Sequence, residues 1–473
     1  MKNQEKSLKI QQKWLDEARD FDLNTPQNIT YSKVFGGLSE ESVRMVSADN
    51  NEPEWMLEIR LKAFRLFQKM PYPKWGPDLS ALDLESISYY AEVEDVSNAK
   101  SWKDVPDEIK KTFDELGIPE AERESLAGVG AQFDSKTVYH STKKEYEEMG
   151  VIFTDMNTAL AKYPEMVRKY FGRVISMADH TFMALHTAFW NGGTFLYVPS
   201  GVKLSEPLQS YFRMNVRNGG QFEHTIIVIE DGADAHYIEW CSAPKYDSAT
   251  LHAGCVEVLV GRGANFRYSS VENWSHNTYN LNTKRAIIEE SGHIDWVGGN
   301  LGAGITMLYP CSVLQWDLSS ANHIGIAFAN TGQIIDAGAK VIHIGKNTTS
   351  RVISKSLSKW WWISTYRWLL DIKENASHSV ASIECDWLIL DSISVSDAIP
   401  VIKIWNSTST VSHEASAGKI NEDFLFYLES RGIDRHRAEQ MLVNGFISPV
   451  VNNLPLEYAS EMNILISKQL EKS

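Results

Sequence analysis

HTIIVIEDGADAHYIEW (224–240) and GCVEVLVGRGANFRYSSVENW (254–274) decide the fold of this chain. Each joins two short runs rich in Ile, Val, Tyr and Phe across a turn of Gly, Asp or Asn, the pattern of strand, tight corner, strand. RAIIEESGHIDWVGG (285–299) repeats it. The corners recur at DGAD around Gly232, RGAN around Gly263, SGHI around Gly292, SSAN around Ser320, KNTT around Asn347 and ENAS around Asn375. Successive differences between these six numbers are 31, 29, 28, 27 and 28 residues. A steady period carried by strands is the mark of a β-solenoid, in which each coil buries its apolar face on the next. A β-sandwich with coincidental spacing is the alternative. Residues 176–412 are therefore read as a mainly β core.

Outward from this core the period changes. EPEWMLEIRLKAFRLFQKM (52–70) places Trp55, Met56, Ile59, Leu61, Phe64 and Phe67 on one helical face, and prolines 71, 73 and 77 end it. Helices are also predicted at 106–118 and 154–171, the latter capped by Thr154 or Asp155. Residues 1–175 thus form a mainly helical N-terminal region. After 412 helix returns in NEDFLFYLESRG (421–432), DRHRAEQMLVNGF (434–446) and PLEYASEMNILISKQLEK (455–472), with Asn421 and Asp434 as N-caps. Residues 413–473 form a C-terminal helical domain that caps the solenoid or docks a partner.

The 473 residues exceed one ordinary compact core, which an elongated repeat accommodates. With 46 basic against 61 acidic residues the formal charge is -15, so nucleic acid is not an expected partner. No apolar run reaches the ~18–20 residues of a membrane span, and the first 20 residues lack the apolar stretch of a signal peptide; a cytoplasmic protein without a membrane partner is expected. The four cysteines, Cys241, Cys255, Cys311 and Cys385, form no CxxC pair, which disfavours a disulfide framework or a zinc knuckle. Thiol chemistry then depends on single residues brought together by the fold.

Several motifs fail on inspection. His413-Glu414 is not a zinc-protease pair, because the residue four beyond His413 is Ala417. GGNLGAG (298–304) lacks the strand-turn-helix context of a dinucleotide loop, and no GxxxxGK[ST] occurs, so ATP hydrolysis by this chain is not expected. A thiol, Cys385, with an imidazole and a carboxylate, His413 and Glu414, remains near the solenoid's end. Thiolates bind iron–sulfur clusters, and imidazole and carboxylate hold iron less tightly, which suits a site that must release its cargo.

GVGAQFDSKTVYH (128–140), FLYVPSGVKLSEPLQSYFRMN (195–215), YSSVENWSHNTYNLNTKRA (268–286), ECDWLILD (384–391), HEASAGKI (413–420) and MLVNGFISPV (441–450) resemble the SufB family of scaffold subunits of the SUF iron–sulfur assembly machinery. The likeness runs from about residue 30 onward. It implies a right-handed parallel β-helix between helical N- and C-terminal domains, and a scaffold, not an enzyme, that builds a transient iron–sulfur cluster and hands it to apo-proteins. It implies Cys241 as sulfur acceptor, Arg213, Asn215, Glu272, Trp274 and Lys284 along the sulfur path, and Cys385, His413 and Glu414 as cluster and metal ligands. A cation such as Lys284 or Arg213 would lower the thiol pKa; Cys255 and Cys311 read as core filler. The implied partners are the SufC ATPase on the C-terminal helices, SufD at the β-helix and C-terminal interface, and a cysteine desulfurase with its sulfur carrier; a reduced flavin is a candidate cofactor of the complex. Two other readings stand beside this one: a SufD-like structural partner without its own cluster, and a β-helix polysaccharide lyase or hydrolase.

The tryptophans depart from the family. Trp360, Trp361, Trp362, Trp368, Trp387 and Trp405 crowd into a short span, and at Trp240, Trp316, Trp361 and Trp368 the resemblance leads to an expectation of glycine at β-helix corners. UGA codons read as glycine in the cell and rendered as tryptophan would account for them. On that reading Trp240 crowds Cys241.

Overall fold

A computed structural model describes residues 29–94, 126–329, 332–358, 363–391, 394–451 and 466. The segments 1–28, 106–118 and 360–362, and 455–472 apart from Ile466, lie outside them. The chain is mainly β, a β-solenoid of about seven turns with helical regions at either end. One sheet has ten strands and begins with an antiparallel pair, Gly128–Phe133 and Lys136–Thr142. It continues in parallel through Leu208–Arg213, Asp234–Ser242, Asn265–Asn273, His293–Leu301, Ser320–Ala329, Thr349–Ser358, Val380–Ile389 and Thr410–Lys419. The opposing sheet stacks His224–Ile229, Cys255–Val260, Thr283–Ile288, Cys311–Leu314 and Ile334–His343 in the same sense, ending in Ile363–Ile372 and Val395–Ile404.

The corners explain the period. Gly201, Gly232, Gly263, Ser291, Leu318, Asn347 and His378 all have positive φ, 31, 31, 28, 27, 29 and 31 residues apart by subtraction. Each N–H donates one coil onward: Gly201 to Asp231 at 2.9 Å, Gly232 to Arg262 at 2.8 Å, Gly263 to Glu290 at 2.9 Å, Ser291 to Asp317 at 3.0 Å, Leu318 to Lys346 at 2.9 Å and Asn347 to Ser377 at 2.8 Å. His378 closes the series on the Thr408 hydroxyl at 2.8 Å. The left-handed corner therefore serves two ends: it reverses the chain and aims an otherwise orphaned N–H along the solenoid axis.

Both faces of the ten-stranded sheet are covered. Tyr237, Tyr268, Trp296, Val352 and Ile383 point into the lumen and share one apolar core. Ile238, Trp240, Val271, Val297, Ile326 and Leu357 point outward, under Val443 and Ile447 of the C-terminal helix Arg435–Val451. On the far side, helices Glu40–Asp49, Glu54–Phe67 and Thr181–Phe189 pack through Val43, Phe64, Leu185 and Phe189 onto Leu251 and Leu281. Asp155 caps Met156–Lys162, its carboxylate accepting from Thr158 N at 2.9 Å, and Pro164 starts a separate helix, so the helix predicted over 154–171 is two. Asn421 and Asp434 accept from Asp423 N and Arg437 N, as N-caps do.

Two expectations change here. The sheet starts at Gly128 and its last strand reaches Lys419, so the solenoid extends beyond 176–412 at both ends; short strands flanked by helices masked this in the sequence. Trp240 and Trp368 stand in mid-strand, not at corners, and Trp240, Trp316, Trp368, Trp387 and Trp405 all lack positive φ, so the conformation demands glycine at none of them. Trp240 also faces away from Cys241, because successive side chains of a strand alternate.

Candidate functional site

The inner row of the ten-stranded sheet carries both sequence-predicted thiols. Cys241 lies beside Glu272 in the next strand, and two residues earlier Glu239 lies beside Ser270. From Ser270 the register runs in line through Gly298, Gly325 and Ser354 to Cys385. The two thiols are five strand steps apart, about 24 Å at ~4.8 Å per step. The fold places them in one lumen on different coils.

Around Cys241 the lumen is ionic. Lys284 Nζ is 2.9 Å from Glu272 Oε1 and 3.4 Å from Glu239 Oε1, all three fully buried. His252 bonds Glu223 through Nε2, reaches Asn280 Oδ1 through Nδ1 at 2.7 Å, and lies against the Trp274 ring with centroids 4.4 Å apart. Asn280 donates to Glu272, which links the two halves. The Cys241 thiol donates to Glu239 Oε1 at 3.9 Å. Glu223, Cys241 and His252 present ligand atoms within 4.8 Å of one another, a set able to hold a metal ion.

Burial is the largest influence on Cys241, Glu239, Glu272, Lys284 and His252, and neighbours decide which charges survive. Burial and then Glu239, Glu223 and Glu272 drive the Cys241 thiol well up, with Lys284 opposing. The expected cation is present, but three carboxylates outweigh it, so the resting group is a thiol and not a thiolate. Burial also raises Glu239, only partly countered by Lys284. It would raise Glu272 too, yet Lys284 and His252 bring that carboxyl below its usual range. Lys284 and His252 stay above their ordinary values because Glu272 and Glu223 outweigh their desolvation. Lys284 is thus matched by Glu272 and His252 lies against Glu223, which leaves Glu239 as the carboxyl placed to exchange a proton.

Arg213 and Asn215 fall elsewhere. Arg213 sits beside Ser242, one residue on from Cys241 and on the opposite face of the strand, its guanidinium 3.3 Å from the Ser242 hydroxyl. Asn215 joins a second cluster, where Asp134 accepts from Asn215 N at 2.6 Å, Val216 N at 2.9 Å and Tyr31 OH at 2.8 Å. Burial holds Asp134 up at about 6. The predicted sulfur-path residues therefore divide between lumen (Glu272, Trp274, Lys284) and outer face (Arg213, Asn215).

At the far end Cys385 lies between Ser354 and Ala415 in register, buried, and pushed up to about 12 by burial and then Asp386 and Glu384. His413 pairs with Ile383 and meets the Trp368 ring edge-on at 4.9 Å, which places it on the lumen side. Glu414 pairs with Glu384 and takes the outer face. Both stand on the last strand of the sheet, solvent-exposed, with one edge unpaired among the described residues.

Glu223, Glu239, His252 and Asn280 are the residues that sequence reading missed. Their signal is legible afterwards: polar side chains at lumen-facing positions of otherwise apolar strands break the binary pattern. Among the described residues no helix is long and apolar enough to cross a membrane.

Comparison with known proteins matches residues 212–446 to "SUF system FeS cluster assembly, SufBD core domain" and residues 32–210 to "SufBD protein N-terminal region". The chain is 49% identical over 437 residues to an iron-sulfur cluster assembly SufBD family protein of Staphylococcus aureus (strain MRSA252), covering 92% of this chain and 94% of that one. A protein of the same description from Staphylococcus epidermidis (strain ATCC 12228 / FDA PCI 1200) is 48% identical over the same share of both chains. A lumen with a thiol at each end, on a solenoid that both family regions span almost from end to end, belongs to the SufBD family of iron–sulfur cluster assembly proteins.

Proposed function

We propose that this chain is the SufB-type scaffold of its family: Cys241 takes up sulfur, the lumen conveys it, and Cys385 holds the nascent cluster at the open end. The observation that carries the reading is the row joining the two ends. Between Glu239 and Cys385 every lumen-facing residue in line is Ser or Gly. A Cβ on Gly298 would meet nothing nearer than 3.6 Å, and one on Gly325 nothing nearer than 4.0 Å. A cavity of about 50 Å³ occupies this strip, lined by Lys284 and Tyr268 at one end and Ser354 and Tyr366 at the other. That is room for a sulfur atom and little more.

The transfer balances without an external oxidant. Cys241 gives its proton to Glu239, and the thiolate attacks the terminal sulfur of a donor persulfide R–S–SH. The donor S–S bond breaks, a new S–S bond forms on Cys241, and the departing thiolate takes the proton back from Glu239 to leave as R–SH. Converting that sulfur to sulfide at Cys385 takes two electrons, the task of a reductant such as reduced flavin. His413, on the lumen side of the last strand, completes the iron site together with a SufD-type partner docked at this edge, and Glu414, on the outer face of that strand, is turned toward the partner. Phe424, Phe426 and Tyr427, exposed on helix Glu422–Ser430, supply an apolar face for the ATPase partner.

The test is anaerobic reconstitution with iron and desulfurase-supplied sulfur, with the C and D partners present. Wild type should develop the visible charge-transfer spectrum of a cluster; Cys385→Ala should lose it, and Cys241→Ala should lose it with desulfurase sulfur yet regain it with free sulfide. Equal spectra from all three proteins would leave the chain a structural, SufD-type partner.

A further inference from the structure

Behind the lumen, where the N-terminal helices meet the opposing sheet, lies a second buried group of metal-ligating side chains. His186 comes from helix Thr181–Phe189, and His224 and Cys255 are register partners on adjacent strands. All three are buried, and their ligand atoms lie within 4.8 Å of one another. We propose that His186 Nε2, His224 Nδ1 and Cys255 Sγ bind one divalent transition-metal ion, Zn²⁺ or Fe²⁺, which clamps the helical region onto the solenoid.

Three observations carry this. First, both imidazoles are oriented by their other nitrogen. His186 Nδ1 donates to the Ala253 carbonyl at 2.6 Å, and His224 Nε2 lies 3.0 Å from Glu257 Oε1. Glu257 is itself held by the backbone N–H groups of Gly172 at 2.7 Å, Val174 at 2.6 Å and Ile175 at 2.9 Å. A carboxylate or carbonyl behind each histidine is the outer support that metal-binding imidazoles have.

Second, the hydrogen-bond accounting leaves a place for a cation. With His186 donating through Nδ1, its Nε2 must accept from His224 Nδ1, 2.9 Å away. A second hydrogen lies in the 3.0 Å contact between His224 Nε2 and Glu257 Oε1 and stays there when the ion binds. A metal ion entering between the rings displaces the hydrogen on His224 Nδ1 and the thiol hydrogen of Cys255. Two protons leave as one M²⁺ arrives, so the buried group keeps its net charge and no uncompensated charge is desolvated.

Third, the geometry is nearly set. Two imidazole nitrogens at ~2.0–2.1 Å from a tetrahedral ion stand about 3.3 Å apart, against the 2.9 Å of the hydrogen-bonded pair. For the two nitrogens a few tenths of an ångström suffices, and Cys255 Sγ, within 4.8 Å of both, closes on the ion. Phe171, stacked on His224 with centroids 4.1 Å apart, and Trp190 exclude water. Two nitrogens and a thiolate suit Zn²⁺ or Fe²⁺ over Mg²⁺ or Ca²⁺.

The full chain, stripped with chelator under anaerobic conditions, is titrated with Co²⁺. One equivalent should bind with a thiolate-to-cobalt charge-transfer band, absent in Cys255→Ser and His224→Gln and retained in Cys241→Ala and Cys385→Ala. Metal content of the protein as isolated distinguishes zinc from iron. X-ray absorption of the wild-type metal form needs no variant: one sulfur at about 2.3 Å with imidazole at about 2.0–2.1 Å is the expected shell. A shell without sulfur, no metal bound, or a band that Cys241→Ala or Cys385→Ala abolishes while Cys255→Ser keeps it would overturn the site.

Discussion

Lys284→Met tests whether the lumen cluster is ionised as its geometry indicates. Methionine keeps most of the aliphatic stem and removes the ammonium that lies 2.9 Å from Glu272 and 3.4 Å from Glu239. Deleting one partner of a fully buried ion pair costs about 3–5 kcal/mol, because the charge left behind stays desolvated. Unfolding entropy of about 2.1 cal/mol/K per residue makes roughly 1 kcal/mol/K for a chain of this length, so the thermal midpoint should fall by about 3–5 °C. The paired variant Lys284→Met/Glu272→Gln should recover at least half of that, a coupling of about 2 kcal/mol in the double-mutant cycle. Scanning calorimetry of the four proteins measures it. A midpoint for Lys284→Met within 1 °C of wild type, or strictly additive effects, would show that Glu272 is not an anion resting on Lys284. The assignment of Glu239 as the proton-exchanging carboxyl would then lose its basis.

Leu318 holds positive φ at 62° while 55% exposed, so Leu318→Gly removes a left-handed penalty of ~1–2 kcal/mol and adds ~0.5–1 kcal/mol of chain entropy. A gain of about 0.5–1 kcal/mol in chemical denaturation is expected, and a loss would show that the corner is not strained. At Gly302, φ is 80° and an added Cβ would sit 1.8 Å from the Trp274 carbonyl oxygen. Gly302→Ala should cost about 2–4 kcal/mol in the same assay. Burial holds His323 down at about 3, far below the ~6.5 of an unfolded chain. Its neutral form stabilises the fold fully above pH ~6.5, and that contribution is lost at up to ~1.4 kcal/mol per pH unit as pH falls toward 3. The thermal midpoint of His323→Gln should therefore fall less steeply than wild type between pH 6 and 4.

The corner period was legible because a solenoid repeats its hardest local problem, the left-handed turn, once per coil. Four of the six corners named from sequence hold or directly adjoin a positive-φ residue: Gly232, Gly263, Gly292 beside Ser291, and Asn347. The other two slipped by two and three residues, because Leu318 and His378 take the conformation that Ser320 and Asn375 suggested on composition. Which residues face the lumen was equally readable once a strand was placed, since the alternation is strict. What stayed hidden depends on stacking between coils. Cys241 and Cys385 were expected at the two ends of a sulfur path, but only the register gives the five strand steps between them. Arg213 and Cys241 read as neighbours in chemistry, but the two-residue period sends them to opposite faces.

The same register explains why a carboxyl and not a cation stands next to the first thiol. A row of Lys or Arg along the lumen would favour thiolate, but each unpaired cation would be costly so far from water. Lys284 and His252 are matched by Glu272 and Glu223, and Glu239 is left as the surplus carboxyl, its proton affinity raised by burial, ready to take the hydrogen that Cys241 gives up. The arrangement makes Cys241 a poor nucleophile at rest: burial, and then three carboxylates, hold its thiol protonated. A free thiolate at that position would oxidise or capture metal indiscriminately. In the sulfur transfer proposed above, selectivity would thus come from a poor nucleophile beside a poised base, with the Ser and Gly row limiting what could move on toward Cys385.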